Sequence, residues 1–154
     1  MVLSQRYTNL NDALRLFKLQ LVESIDFVKR NFYDEGLTPE EIFNLLKKNT
    51  VYKKDPKGME LFQSTETFFY NNWHGIPGCG DCDCFTLTAL AFLYCNGYKN
   101  IGIVLVGRNT RIPVHIYAYV VINQKIFYFD LTNKYFNIVR NYPFKQHIPF
   151  IYNG

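Results

Sequence analysis

Residues 85–94, Phe-Thr-Leu-Thr-Ala-Leu-Ala-Phe-Leu-Tyr, carry no charge and suit a helix of about three turns, and the glycine-rich turn Gly78-Cys79-Gly80-Asp81 leads into them. A helix with no polar stripe has to be buried, so the rest of the chain must pack around this one. Asp81 is a good N-cap, because its carboxylate can accept the backbone N–H of residue 83 or 84. Cys82 then falls on the first turn, where the positive end of the helix dipole favours thiolate over thiol and lowers a cysteine pKa from about 8.5 toward roughly 7. The stretch is built like the mount of a nucleophile.

Cysteine is also a common core residue, and a single one here would carry little weight. Cys79, Cys82 and Cys84 instead crowd into six residues with Asp81 and Asp83 between them. Three uses compete for such a cluster: a nucleophile, a metal and a disulfide. A structural zinc could take Cys79, Cys82 and Cys84 with Cys95 or His74, yet the chain lacks a second paired motif and Cys95 lies about 20 Å along the helix. A disulfide through Cys79 or Cys84 suits an oxidising compartment better than a reducing one.

The chain has 154 residues, the size of one domain, and its 48% hydrophobic and 18% aromatic content argues for a packed core rather than disorder. The formal charge of +4 is scattered, the densest group being Lys47, Lys48, Lys53, Lys54 and Lys57 around one loop, which reads as a solvated surface and not as a nucleic-acid interface. Neither a signal peptide at Met1–Arg6 nor a membrane-length apolar run is expected, so the sequence points to a cytoplasmic protein with no membrane partner and no cofactor.

From Asn11 the positions Leu14, Phe17, Leu21, Ile25, Val28 and Phe32 recur at helical spacing, and Gly36 ends that helix. Thr38-Pro39-Glu40-Glu41 is a capping box with proline at the first helical position, and Ile42, Leu45 and Leu46 give the second helix its buried stripe. Residues 51–73 are ambiguous: Asp55-Pro56-Lys57-Gly58 marks a turn, and 60–70 suits a helix or an extended segment. Gly97 stops the central helix, Ile101–Gly107 is a buried strand, and Pro113–Ile122 and Lys125–Leu131 are strands joined at Asn123-Gln124, with a further strand over Phe136–Val139. Helices first and an antiparallel sheet after them make an α+β fold, with the nucleophile-bearing helix packed on the sheet.

A two-residue turn at Asn123-Gln124 makes facing residue numbers sum to 247. One face of the hairpin then carries Val114, Ile116, Ala118, Val120, Ile122, Phe127, Phe129 and Leu131, which is the core side. The other carries His115, Tyr117, Tyr119, Val121, Ile126, Tyr128 and Asp130. His115 and Asp130 are diagonal neighbours there, about 7–8 Å apart at the backbone, so Asp130 is placed to accept the Nδ1 proton of His115 and aim Nε2 outward. With Cys82 they compose a nucleophile, a base and an orienting acid, with the Cys82 backbone N–H as one oxyanion donor and Trp73, Gln63 or Asn72 as candidates for a second.

Three blocks, Gly80-Asp81-Cys82-Asp83-Cys84-Phe85, Val114-His115-Ile116-Tyr117-Ala118-Tyr119-Val120 and Phe127-Tyr128-Phe129-Asp130-Leu131-Thr132, resemble in order and spacing the transglutaminase-like superfamily of papain-type folds, near its bacterial and phage-encoded members. The resemblance covers residues 50–135; Cys84 stands where the family pattern has a second acid, and Leu131 where it has proline. It implies one transglutaminase-like domain over residues 1–154, with 1–50 a helical N-terminal part and 51–140 the catalytic core. It further implies thiol acyl transfer on an amide of a protein or peptide substrate, by hydrolysis, deamidation or transamidation, in the cytoplasm of an infected host cell or in a virion. Some members of the family have lost activity and only bind, so a silent interaction domain is the alternative, beside the zinc module.

Overall fold

The computed structural model describes residues 2–5, 10–32, 36–53, 60–63, 65–70, 79–108 and 113–151. Its elements are β1 (Val2–Gln5), α1 (Leu10–Asn31), α2 (Pro39–Asn49), β2 (Val51–Tyr52), β3 (Glu60–Gln63), α3 (Thr65–Tyr70), β4 (Cys79–Gly80), α4 (Cys82–Cys95), β5 (Ile101–Gly107), β6 (His115–Ile122), β7 (Lys125–Phe129) and β8 (Phe144–Phe150). The fold is mixed α+β. The ambiguous stretch after residue 51 resolves, where described, into a short strand and a short helix.

The helix-capping signals act as the sequence predicts. Thr38 Oγ1 accepts from the Glu41 N–H at 3.2 Å and Glu41 Oε1 accepts from the Thr38 N–H at 3.0 Å. The buried stripe of α2 is Pro39, Ile42, Phe43 and Leu46, a three- and four-residue spacing that leaves Leu45 on the outside, 44% exposed. The expectation of a buried Leu45 is therefore corrected, and Phe43 takes its place against Phe129, rings 5.3 Å apart.

Helix α4 is buried along its length from Cys84 to Leu93, between α1 on one side and the sheet on the other. The sheet is antiparallel in the order β7-β6-β5-β8. Its hairpin pairs Ala118 with Phe129, Tyr119 with Tyr128 and Val121 with Ile126, the register that sums to 247. Asn123 and Gln124 both take positive φ, 51° and 66°, as a two-residue hairpin turn requires. Phe129, Ile116, Ala118 and Val120 face the main core with α4, whereas Val114 lies before the strand and is 56% exposed.

Residues 136–139 are not a strand. Asn137 adopts positive φ, 60°, and clasps the outer edge of β7 by receiving the Tyr128 N–H on Oδ1 at 2.8 Å while its own N–H bonds the Tyr128 carbonyl at 3.0 Å. The fourth strand is β8 instead, added to the far side of β5, where Pro149 is tolerated because an edge strand has one side without a ladder.

The face of the sheet away from α4 carries a second apolar cluster of Val104, Val106, Tyr117 and Tyr119, covered by Val139 and Tyr142. The sheet curls around this cluster until its two edge strands touch through side chains. Tyr128 on β7 and His147 on β8 hydrogen-bond at 3.2 Å, and Lys145 of β8 lies 4.0 Å above the Tyr128 ring. Among the described residues no helix is long and apolar enough to cross a membrane.

Candidate active site

Asp81 caps α4, its Oδ1 accepting the Asp83 N–H at 3.2 Å, so Cys82 opens the helix and its backbone N–H has no partner inside it. The strand β4 fixes the approach: it pairs in parallel with β2, Tyr52 beside Gly80, and the Lys53 N–H bonds the Gly80 carbonyl at 2.7 Å. Gly80 allows α4 to turn this tightly, since a Cβ there would lie 2.8 Å from the Cys84 Cβ and 2.9 Å from the Phe68 ring.

On the sheet side the site is made by a mismatch of strand lengths. Pairing of β7 with β6 ends at Phe129 against Ala118, so beyond it the β7-facing edge of β6 has no strand neighbour among the described residues. The first turn of α4 fills that place. Thr86 Oγ1 approaches the Ile116 carbonyl at 3.3 Å, and the Ile116 N–H points at the Cys82 sulfur. The turn that carries Cys82 is thereby set against Ile116, the residue next to His115 in β6.

Past Phe129 the chain turns and presents Asp130 to His115, Nε2 to Oδ2, at 2.7 Å. The carboxylate is only 4% exposed and its acceptors are filled. Oδ1 receives the Thr132 N–H at 3.0 Å and the Thr132 hydroxyl at 2.7 Å, and Oδ2 receives the Asn133 amide at 3.4 Å besides the imidazole. A carboxyl group with four hydrogen-bond partners is locked in one orientation. The expected use of Nδ1 is corrected: the diagonal gap between the strands needs the far end of the imidazole, so Nε2 meets Asp130 and Nδ1 is the nitrogen left for other work.

The expected low pKa of Cys82 is corrected too. Burial pushes the thiol well above the ordinary cysteine range, and the carboxylates of Asp83, Asp81 and Asp130 push it further, against the pull of the Ile116 N–H. This environment favours the protonated thiol. Asp81, Cys82 and Asp83 bring one ligand atom each to within 4.8 Å of one another, a trio that differs from the rival zinc set of cysteines, of which His74 and the Cys79 side chain lie outside the described residues. Cys84 turns into the core, its sulfur 3.2 Å from the Cβ position of Gly80, and the Cys95 thiol donates to the Ile25 carbonyl at 3.6 Å. Neither shares a site with Cys82.

Of the candidate oxyanion donors, Trp73 and Asn72 lie outside the described residues, as does His74. Gln63 closes β3, paired with Val2, and only its backbone is described. Thr132, Asn133, Thr86 and the Ile116 backbone take part in the site without being expected from the motifs. The Asp-x-Thr spacing of Asp130 and Thr132 was a legible signal, since an aspartate that accepts the N–H two residues on forms an Asx-turn. No protein-family model matches this chain, and neither a curated protein nor a solved structure matches it.

Proposed function

We propose that this chain is a thiol-dependent acyl-transfer enzyme acting on amide bonds of a protein or peptide, built on a transglutaminase-like core. The observation that carries the reading is the His115–Asp130 bond of 2.7 Å, made by a saturated, buried carboxylate, with the nucleophile turn of α4 set against Ile116, the residue next to His115. Asp130 holds Nε2–H, so the neutral imidazole offers its lone pair at Nδ1. Cys82 Sγ attacks the amide carbon as its proton passes to His115, and the carbonyl electrons move onto oxygen, where the Cys82 N–H is one donor. Collapse of this adduct breaks the C–N bond, His115 returns the proton to the leaving amine, and a thioester remains on Cys82. Water or an amine then takes the acyl group. A neutral resting thiol means that His115 acts as a general base during attack rather than as half of a standing ion pair.

The same neutral, acid-flanked thiol favours a second reading, an interaction domain that keeps the fold without the chemistry. A reducing cytoplasm, which keeps Cys82 as a thiol, suits both. The two separate on one assay set: peptide cleavage, ammonia release from glutamine peptides, and incorporation of a primary amine into a protein substrate. Turnover in any of them that Cys82→Ala abolishes supports the enzyme; none in all three, with folded protein, favours the silent domain.

A further inference from the structure

We propose that Thr86 is a positioning residue, whose hydroxyl ties the nucleophile turn of α4 to β6 at Ile116 and so fixes the distance between Cys82 and His115. The inference rests on the acyl-transfer reading of those two residues. Thr86 Oγ1 lies 2.7 Å from the Cys82 carbonyl and 3.3 Å from the Ile116 carbonyl, and the residue is 3% exposed. The shorter contact alone is ordinary, since a helical threonine commonly donates to the carbonyl four residues back. The longer one spans 30 residues of sequence. It reaches a carbonyl that, among the described residues, has no strand donor on its β7 side because β7 stops at Phe129.

One hydroxyl proton thus bridges the backbone of the nucleophile itself and the backbone of the residue next to the base. The Ile116 N–H also acts on the Cys82 thiol, in the direction that favours thiolate. With the hydroxyl removed, the Ile116 carbonyl is buried without that donor, and the α4 turn can slide along β6. Displacements on the order of 1 Å at a reacting pair cost up to about a hundredfold in rate. Leu87, Leu90 and Leu93, all fully buried, anchor the rest of α4 independently of this contact.

The test uses Thr86→Val, which keeps the shape and loses the donor, and Thr86→Ser, which keeps the donor. The readout is the pH profile of Cys82 alkylation by iodoacetamide, followed by peptide mapping, beside urea denaturation of each variant. The ionisable groups that act on the sulfur are Asp83 and Asp81 from the α4 turn and Asp130 after β7, and Asp130 in turn holds His115 of β6. In the unmodified chain, proton transfer to His115 is expected to give a step in rate ahead of the rise from direct thiol ionisation. Thr86→Val is expected to lower that step about tenfold or more and leave the high-pH rate unchanged, while Thr86→Ser retains it. Should Thr86→Val not fold, Thr86→Ala is read in the same way. A Val or Ala variant with an unchanged step overturns the positioning role alone. A missing step in the unmodified chain overturns His115 as base, and the positioning role with it.

Discussion

The Tyr119 side chain fills the space that a side chain at Gly102 would need: a Cβ there would lie 2.6 Å from a ring carbon and 2.6 Å from the hydroxyl oxygen, and would collide with the Ile148 carbonyl. Gly102 and Tyr119 face each other across β5 and β6, and the ring continues toward β8, where it meets His147 at 5.3 Å. An aromatic ring laid over a glycine in this way lets a sheet curl. The Tyr128–His147 contact between the sheet edges depends on that curl.

Gly102→Ala is therefore expected to destabilise the fold by about 1–3 kcal/mol, the usual penalty for overpacking. Urea unfolding measures it. A midpoint equal to that of the unmodified chain would mean that the sheet does not need this close approach.

Tyr117 carries the opposite expectation. Its side chain is 1% exposed, its hydroxyl has no hydrogen-bond partner among the described residues, and burial pushes the phenol well above its usual pKa, with Tyr128, Asp130 and Tyr142 adding to the shift. Tyr117→Phe removes an unsatisfied polar group and should stabilise the protein by roughly 1–3 kcal/mol. The folded-state pKa is raised, so the phenol contributes its full share of stability below an unfolded value of about 10 and loses it as pH rises further. The phenylalanine variant should gain stability over the unmodified chain most strongly above that pH. A loss of stability in Tyr117→Phe at neutral pH would show that the hydroxyl has a partner.

These features differ in how far the sequence reveals them. The hairpin was legible because its information is local: Asn123 and Gln124 tolerate positive φ, the turn fixes the register, and strand alternation then puts His115 and Asp130 on one face. The cap at Asp81 and the capping box at Thr38 are local for the same reason. Strand β8 was not legible, since Lys145, Gln146, His147 and Pro149 interrupt any apolar pattern and its partner β5 lies some forty positions earlier in the chain. Cys82 shows the other limit. Its place at a helix start was readable, whereas its titration is set by burial and by Asp130, which only the tertiary fold brings near.

That titration makes a prediction of its own. Cys82 is held protonated by burial first and by Asp83, Asp81 and Asp130 after it, so its folded pKa exceeds the unfolded value of about 8.5. Stability from this group is present below that value and is lost as pH rises through the folded pKa. Cys82→Ser should flatten the alkaline fall in stability, and the carbon-13 shift of the Cys82 Cβ should report a thiol at pH 8. A thiolate shift at neutral pH would restore the standing ion pair and remove the need for general-base attack.

The acyl-transfer account stands most directly on a covalent intermediate. The purified chain is mixed with an activated acyl donor such as p-nitrophenyl acetate, quenched in acid within seconds, and weighed intact before peptide mapping. One acyl group per chain is predicted, on Cys82 and not on Cys84 or Cys95. Its formation at neutral pH should slow by about a hundredfold or more in His115→Ala and by a smaller factor in Asp130→Asn, which keeps the shape but not the charge. Acylation that is absent, that maps to another residue, or that proceeds at an unchanged rate in His115→Ala would contradict the account.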